Sequence, residues 1–191
     1  NAPPTEQHEY HRRAGKDRTA IEVTKEQAIK TPGLYWHMLP TIAQGRKVVW
    51  DGVDKEGRRV LDAFPGWRNP ESKGSIVRKI RHDEMKIELL NGSLWQVVGS
   101  DNFDSLVGSN PRGIVFSEWA LSDPGAWEVM RPILVENNGW ALFITTPRGR
   151  NHCYLMYHNA RDSPEWFSEI LTVRETGIIT VMLGSRTYHL G

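Results

Sequence analysis

Residues 11–17 read HRRAGKD, and how this stretch is read decides the fold. Gly15-Lys16 is the pair that ends a phosphate-binding loop. The glycine lets backbone N–H groups come close to a phosphate, and the lysine reaches its terminal oxygens. Two consensus features are absent. Asp17 stands where a hydroxyl residue follows the lysine, and Tyr10 stands where a glycine is expected five residues before Gly15. An exposed basic helix start would look the same, so support must come from elsewhere in the chain.

Two other segments supply it. GIVFSEW, residues 113–119, is an apolar run ending in an acid. A buried strand of this kind delivers Glu118 to the edge of a sheet, where a glutamate can polarise an attacking water as general base. The aspartate usual before that glutamate is Ser117. FITTPRGRN, residues 143–151, is a second apolar run, ending in Thr145, Thr146 and Pro147 and followed by Arg148 and Arg150. Hydroxyls there can sense a γ-phosphate, and an arginine can stabilise transition-state charge. Taken singly, these are a surface glutamate and a Thr/Pro turn. In the order phosphate loop, acidic strand end, hydroxyl strand end, they form the layout of a nucleotide hydrolase.

The segments between them fit an α/β chain. Residues 16–30 predict a helix with Ala20, Val23, Gln27 and Ala28 near one face, closed by Thr31-Pro32-Gly33. LYWHML (34–39) predicts a strand. Thr41 is a fitting N-cap for a helix over IAQGRKVVWDGV (42–53), followed by a second helical piece, KEGRRVLDAF (55–64). Residues 66–75 are loop-forming. Residues 84–90 and 93–99 flank Asn91-Gly92, a strong hairpin signal. A polar loop, 100–113, leads to the strand before Glu118. A helix capped by Asp123 and stopped near Gly139 follows, then a strand at WALFITTP (140–147), a helix at 151–162 and a last strand at WFSEILTV (166–173). The basic stretch 77–82, VRKIRH, reads as a solvated loop that is also a candidate DNA- or subunit-facing surface. Buried strands alternating with helices predict a largely parallel sheet flanked by helices.

Bulk composition agrees. The chain has 191 residues, 39% hydrophobic and 25% charged, enough for one domain with a sizeable core. It contains no apolar run long enough for a membrane span and no secretory leader pattern. Cys153 is the only cysteine, which fits a reducing compartment. Net charge is +1, yet residues 1–82 hold 16 Lys/Arg against 10 Asp/Glu and residues 83–191 hold 8 against 13. The basic half suits a polyanion, and an uneven solvated surface explains it equally well. His37, His82, His152, His158 and His189 share no metal-ligand spacing. Asp101, Asn102 and Asp104 read as turn and capping residues.

The runs YWHMLPTIAQGRKVVWDGVDKEGRRVLD, LLNGSLWQVVGSDNFDSLVGSNPRGIVFSEWAL and GWALFITTPRGRNH resemble the ATPase domain of large terminase subunits, the DNA-packaging motors of tailed phages. The similarity covers residues 11–180. It implies a P-loop ATPase fold of the additional-strand catalytic-glutamate type, using ATP and Mg²⁺. It implies double-stranded phage DNA, a portal protein and a small terminase subunit as partners, self-assembly into a ring on the portal, and action in the host bacterial cytoplasm with no membrane. His11, Arg12, Arg13, Ala14, Gly15 and Lys16 are similar to the family's variant Walker A, so Arg12 or Arg13 is expected at the γ-phosphate. Glu118 matches the catalytic glutamate, and Thr145, Thr146 and Pro147 match the coupling motif. Gln44 lies in a segment resembling a helicase-like motif.

Two departures from the family pattern look like one exchange. Asp17 holds the position of the Mg²⁺-binding hydroxyl, and Ser117 that of the Mg²⁺-holding aspartate. A magnesium site needs oxygen ligands and keeps several waters, so the two can serve from swapped positions. A carboxylate that merely favours the helix start is the plainer account of Asp17. Residues 1–10 are irregular and supply no apolar strand ahead of the loop, residues 181–191 depart from the family, and no nuclease carboxylate cluster follows. The expectation is a truncated or rearranged piece lacking the first strand and the nuclease domain. An inactive remnant that only binds nucleotide or partner subunits, and another helicase-like P-loop ATPase, stay open as alternatives.

Overall fold

The computed structural model describes residues 15–54, 56–146, 148–164 and 166–168. Helix α1 (Gly15–Lys30) leads into strand β1 (Leu34–Leu39) and the short helix α2 (Ile42–Gly45). Strands β2 (Val77–Arg81), β3 (Lys86–Leu89), β4 (Leu94–Gly99) and β5 (Pro111–Ser117) follow. Helix α3 (Gly125–Glu136), strand β6 (Trp140–Ile144) and helix α4 (His152–Arg161) complete the described elements. The strands form one sheet in the order β2-β3-β4-β1-β5-β6. β4, β1, β5 and β6 are mutually parallel, and β2 and β3 add antiparallel strands at one side. The mostly parallel sheet and the Asn91-Gly92 hairpin are as the sequence predicts. Gly92 takes φ +88° in that turn, a conformation glycine adopts without steric cost.

The parallel strands are apolar on both faces because helices and loops cover both sides. Their alternation divides the core in two. Tyr35 and Leu39 of β1, Val115 of β5 and Leu142 and Ile144 of β6 join a cluster with Ile21, Trp50, Leu61, Phe64 and Trp95. Trp36 and Met38, Ile114 and Phe116, and Phe143 face the other way, against Ala126, Met130 and Leu134 of α3 and Cys153 and Ala160 of α4. On that second face Phe116 and Phe143 stack at 4.6 Å with planes 5° apart, and Trp119 meets Phe143 edge-on at 5.0 Å.

Several elements differ from the sequence reading. The buried stripe of α1 includes Ala20 and Ala28 as expected, but it runs through Lys16, Asp17, Ile21 and Thr24 and not through Val23 and Gln27. Its phase is set by two charged residues turned inward at its first turn, which an apolar periodicity cannot reveal. The helix after Thr41 has the expected cap, Gln44 N–H to Thr41 Oγ1 at 3.1 Å, but passes into a π-helical stretch over Arg46–Trp50 and ends there. The helix expected at 55–64 shrinks to a 3-10 turn, Val60–Ala63. Gly57 has φ +77° and Asp54 Oδ1 accepts the N–H groups of Glu56 and Arg58, so the chain turns back and pairs Val53 with Arg59. The supposed loop at 77–82 is mostly strand β2, whose exposed Arg78, Lys79 and Arg81 guard the sheet edge against further pairing. The polar loop after β4 contains 3-10 structure over Ser100–Leu106. Residues 166–168 have no regular structure, and the rest of the strand expected over 166–173 lies outside the described residues. So do the segments 1–10 and 181–191, where the first-strand and tail expectations fall. Among the described residues no helix is long and apolar enough to cross a membrane.

Candidate active site

Open parallel sheets place their sites at the carboxyl ends of the strands. Here the N-terminus of α1 meets the carboxyl ends of β1 and β5. Strand alternation decides which side chains arrive. His37 follows Tyr35 on the α1 face of β1, Ser117 follows Val115 on the same face of β5, and Glu118 comes next, as the chain leaves the sheet.

Lys16 and Glu118 form an ion pair, Nζ to Oε1, although 102 residues separate them. Lys16 is buried, while the Glu118 side chain keeps 19% of its surface exposed. Glu118 has φ +54° and ψ 38°, a left-handed conformation that costs a non-glycine residue on the order of 1 kcal/mol. The chain turns sharply there into a 3-10 turn over Trp119–Leu121, which aims the carboxylate back at Lys16.

Beneath this pair sits a buried polar triad. His37 Nε2 lies 3.0 Å from Asp17 Oδ1, and Ser117 Oγ donates to the same oxygen at 2.5 Å. All three side chains are fully buried. Among the described residues the second carboxylate oxygen, Asp17 Oδ2, has no hydrogen-bond partner, nor does His37 Nδ1. Burial alone raises the Asp17 pKa. The hydrogen bond and charge of His37, the charge of Lys16 and the Ser117 hydrogen bond outweigh it and hold the carboxyl below its ordinary value.

The two residues that looked exchanged are thus in direct contact. Their oxygens, with the unpartnered Asp17 Oδ2, form a donor set of the kind a hard cation accepts. Among the described residues no group of three His, Cys, Asp or Glu is placed to hold a metal, so a cation here would draw its remaining ligands from phosphate and water.

Thr145, at the end of β6, is buried and its Oγ1 accepts the Ala120 N–H at 3.1 Å. Thr146, Arg148 and Arg150 are exposed, and the Thr146 carbonyl accepts from Thr145 Oγ1 at 3.3 Å. Gln44 serves the Thr41 cap. His11, Arg12, Arg13, Ala14 and Pro147 lie outside the described residues.

Three further residues take part: His37 and His152, which the sequence shows only as histidines without metal-ligand spacing, and Asn151. His37 was legible as an isolated polar group inside the apolar run LYWHML, since a buried imidazole needs a partner. Asn151 Nδ2 donates to the Ala120 carbonyl at 3.2 Å, and His152 Nε2 to the Trp119 carbonyl at 2.7 Å. Nothing in their spacing announced those contacts.

No protein-family model matches the chain. It is 41% identical over 97 residues to the terminase large subunit of Escherichia phage T5, an overlap of 48% of this chain and 22% of that protein. It is 24% identical over 150 residues to the terminase large subunit of Thermus virus P23-45, covering 75% and 31% of the two chains. The chain therefore spans between about a fifth and a third of the length of these relatives. Among solved structures, the large terminase ATPase domain of Thermus phage P74-26 superposes with a TM-score of 0.55 at 20% identity, covering 87% of this chain and 66% of that one. The large terminase of bacteriophage D6E gives 0.58 at 20% identity, covering 78% and 36%. In sequence the chain is similar to part of the phage large terminase subunits, and its fold is that of the large terminase ATPase domain.

Proposed function

We propose that this chain is the ATP-hydrolysing segment of a phage DNA-packaging motor. The ion pair between Lys16 and Glu118 carries the reading, because it joins the helix start that would cradle phosphates to the carboxylate that would act on water. In this arrangement Glu118 neutralises Lys16. The terminal phosphates of ATP, seated on the N-terminus of α1, compete for the lysine ammonium and free the carboxylate. Glu118 then accepts a proton from water as the water oxygen bonds to the γ-phosphorus. The bond from that phosphorus to the bridging oxygen breaks, leaving ADP and phosphate. The turn at Glu118 directs the carboxylate to Lys16 at the start of α1, where this reading seats the phosphates.

Asp17 and Ser117 would hold Mg²⁺, with the unpartnered Asp17 Oδ2 as the open ligand. When bound, the cation neutralises phosphate charge and orients the γ-phosphate. His37 keeps Asp17 turned toward that position through Oδ1. Thr145 fixes the backbone beside Glu118. His11, Arg12, Arg13, Ala14 and Gly15 complete the phosphate loop in this reading, with Arg12 or Arg13 at the γ-phosphate and Thr146 at the coupling segment.

Double-stranded phage DNA, the portal protein and the small terminase subunit are the partners of such a motor, which would assemble as a ring on the portal in the host bacterial cytoplasm. The test is Mg²⁺-dependent phosphate release from ATP by the unmodified chain and by Glu118→Gln. Turnover lost in Glu118→Gln, with nucleotide binding kept, is the expected result. Equal background release from both would refute the reading.

A further inference from the structure

The backbone of the turn that follows Glu118 is tied to one neighbouring segment by side-chain hydrogen bonds. The segment from Thr145 to His152 contacts it at three points: Thr145 Oγ1 accepts the Ala120 N–H, Asn151 Nδ2 donates to the Ala120 carbonyl, and His152 Nε2 donates to the Trp119 carbonyl. The His152 ring also meets the Trp119 ring edge-on, with centroids 4.9 Å apart. Asn151 does double duty, because its Oδ1 caps α4 by accepting the Tyr154 N–H at 3.2 Å. The turn therefore cannot shift without disturbing the first turn of α4.

We infer that Asn151 and His152 are positioning residues for Glu118, tying the position of its carboxylate to the start of α4. The left-handed backbone at Glu118 is a conformation the residue does not favour alone. It needs its surroundings to hold it, and these side chains bond the backbone immediately after it. Because a carbonyl can only accept, His152 must carry its proton on Nε2. Neutral and protonated imidazole can both donate from that nitrogen, so the contact does not depend on the charge of the ring. The donor's location is what counts. A glutamine amide can present a nitrogen near the Nε2 position, whereas an asparagine amide falls short and leaves the Trp119 carbonyl unbonded.

This inference rests on the ATPase reading, and the experiment separates the two. Turnover and nucleotide affinity are measured for the unmodified chain, Glu118→Gln, His152→Asn, His152→Gln and the double variant Glu118→Gln/His152→Asn. His152→Asn is expected to lower kcat by about tenfold or more with nucleotide affinity kept, as for a misplaced catalytic group. His152→Gln should restore most of the rate, and in the turnover-deficient Glu118→Gln background His152→Asn should leave nucleotide affinity unchanged. Unchanged kcat in His152→Asn, or equal losses in the Asn and Gln variants, would overturn the positioning role while leaving the ATPase reading intact. No turnover in the unmodified chain would overturn both.

Discussion

Asp17 is a carboxylate held in the interior at the first turn of α1, and its surroundings dictate how the protein responds to acid. Its pKa is depressed relative to the unfolded chain. A depressed carboxyl contributes stability that is present above the unfolded value and lost as pH falls through the folded one. The window lies at and below the ordinary aspartate range, near pH 4. Thermal unfolding followed across that range should fall steeply in the unmodified chain and less steeply in Asp17→Asn. At neutral pH, Asp17→Ala should abolish Mg²⁺-dependent hydrolysis, and Asp17→Thr combined with Ser117→Asp should recover it. Loss without recovery would show that the two positions are not interchangeable ligands. The contact between Asp17 and Ser117 joins two positions that the sequence singles out by motif, and the proposed exchange of ligands rests on those positions. His37 was legible only as a polar residue in an apolar run, because its partner lies 20 residues away and is found only once β1 packs against α1.

Among the elements, those legible in sequence are the ones whose burial leaves a simple pattern. The runs at β1, β5 and β6 are mostly apolar, and Asn91-Gly92 names its turn. The element least legible was β2, whose charges suggest a loop but mark an edge strand. The stretch 55–64 was misleading too, since its helix-forming residues are interrupted by Gly57, where the chain reverses. Gly113 in β5 offers a sharp test of strand packing. A Cβ added there would sit 2.4 Å from Cε2 of the Trp140 indole on the neighbouring strand. Gly113→Ala should destabilise by about 1–3 kcal/mol through overpacking, read as a fall of roughly 2–4 °C in Tm per kcal/mol. An unchanged Tm would mean that Trp140 moves aside freely.

Across the described part of the molecule, the sheet separates two aromatic-rich cores, and one of them packs against His37 of the triad at Asp17. Trp95 lies at the centre of that core, within 5.1 Å of Phe64 and 6.4 Å of Trp50 between ring centroids, and is fully buried. Trp95→Ala should cost about 3–5 kcal/mol, as for other large aromatic truncations. His37 packs on the same indole, centroids 6.0 Å apart, so the loss should also loosen the imidazole behind Asp17 and weaken the apparent Mg²⁺ affinity of any remaining turnover. A stability loss with Mg²⁺ dependence unchanged would uncouple core from site. Helix α1 links more than these two. Its far end is gripped by the hairpin turn: Asn91 Nδ2 and Ser93 Oγ donate to the Ala28 carbonyl at 2.8 and 2.7 Å, and the Tyr35 hydroxyl to that of Thr31 at 2.6 Å. Its near end is Lys16. Sixteen residues of helix make a strut about 24 Å long, stiff along its axis and anchored at both ends. A push on the 91–93 turn arrives at the lysine ammonium, and a load taken up by that ammonium is felt at the hairpin, on the opposite side of the domain.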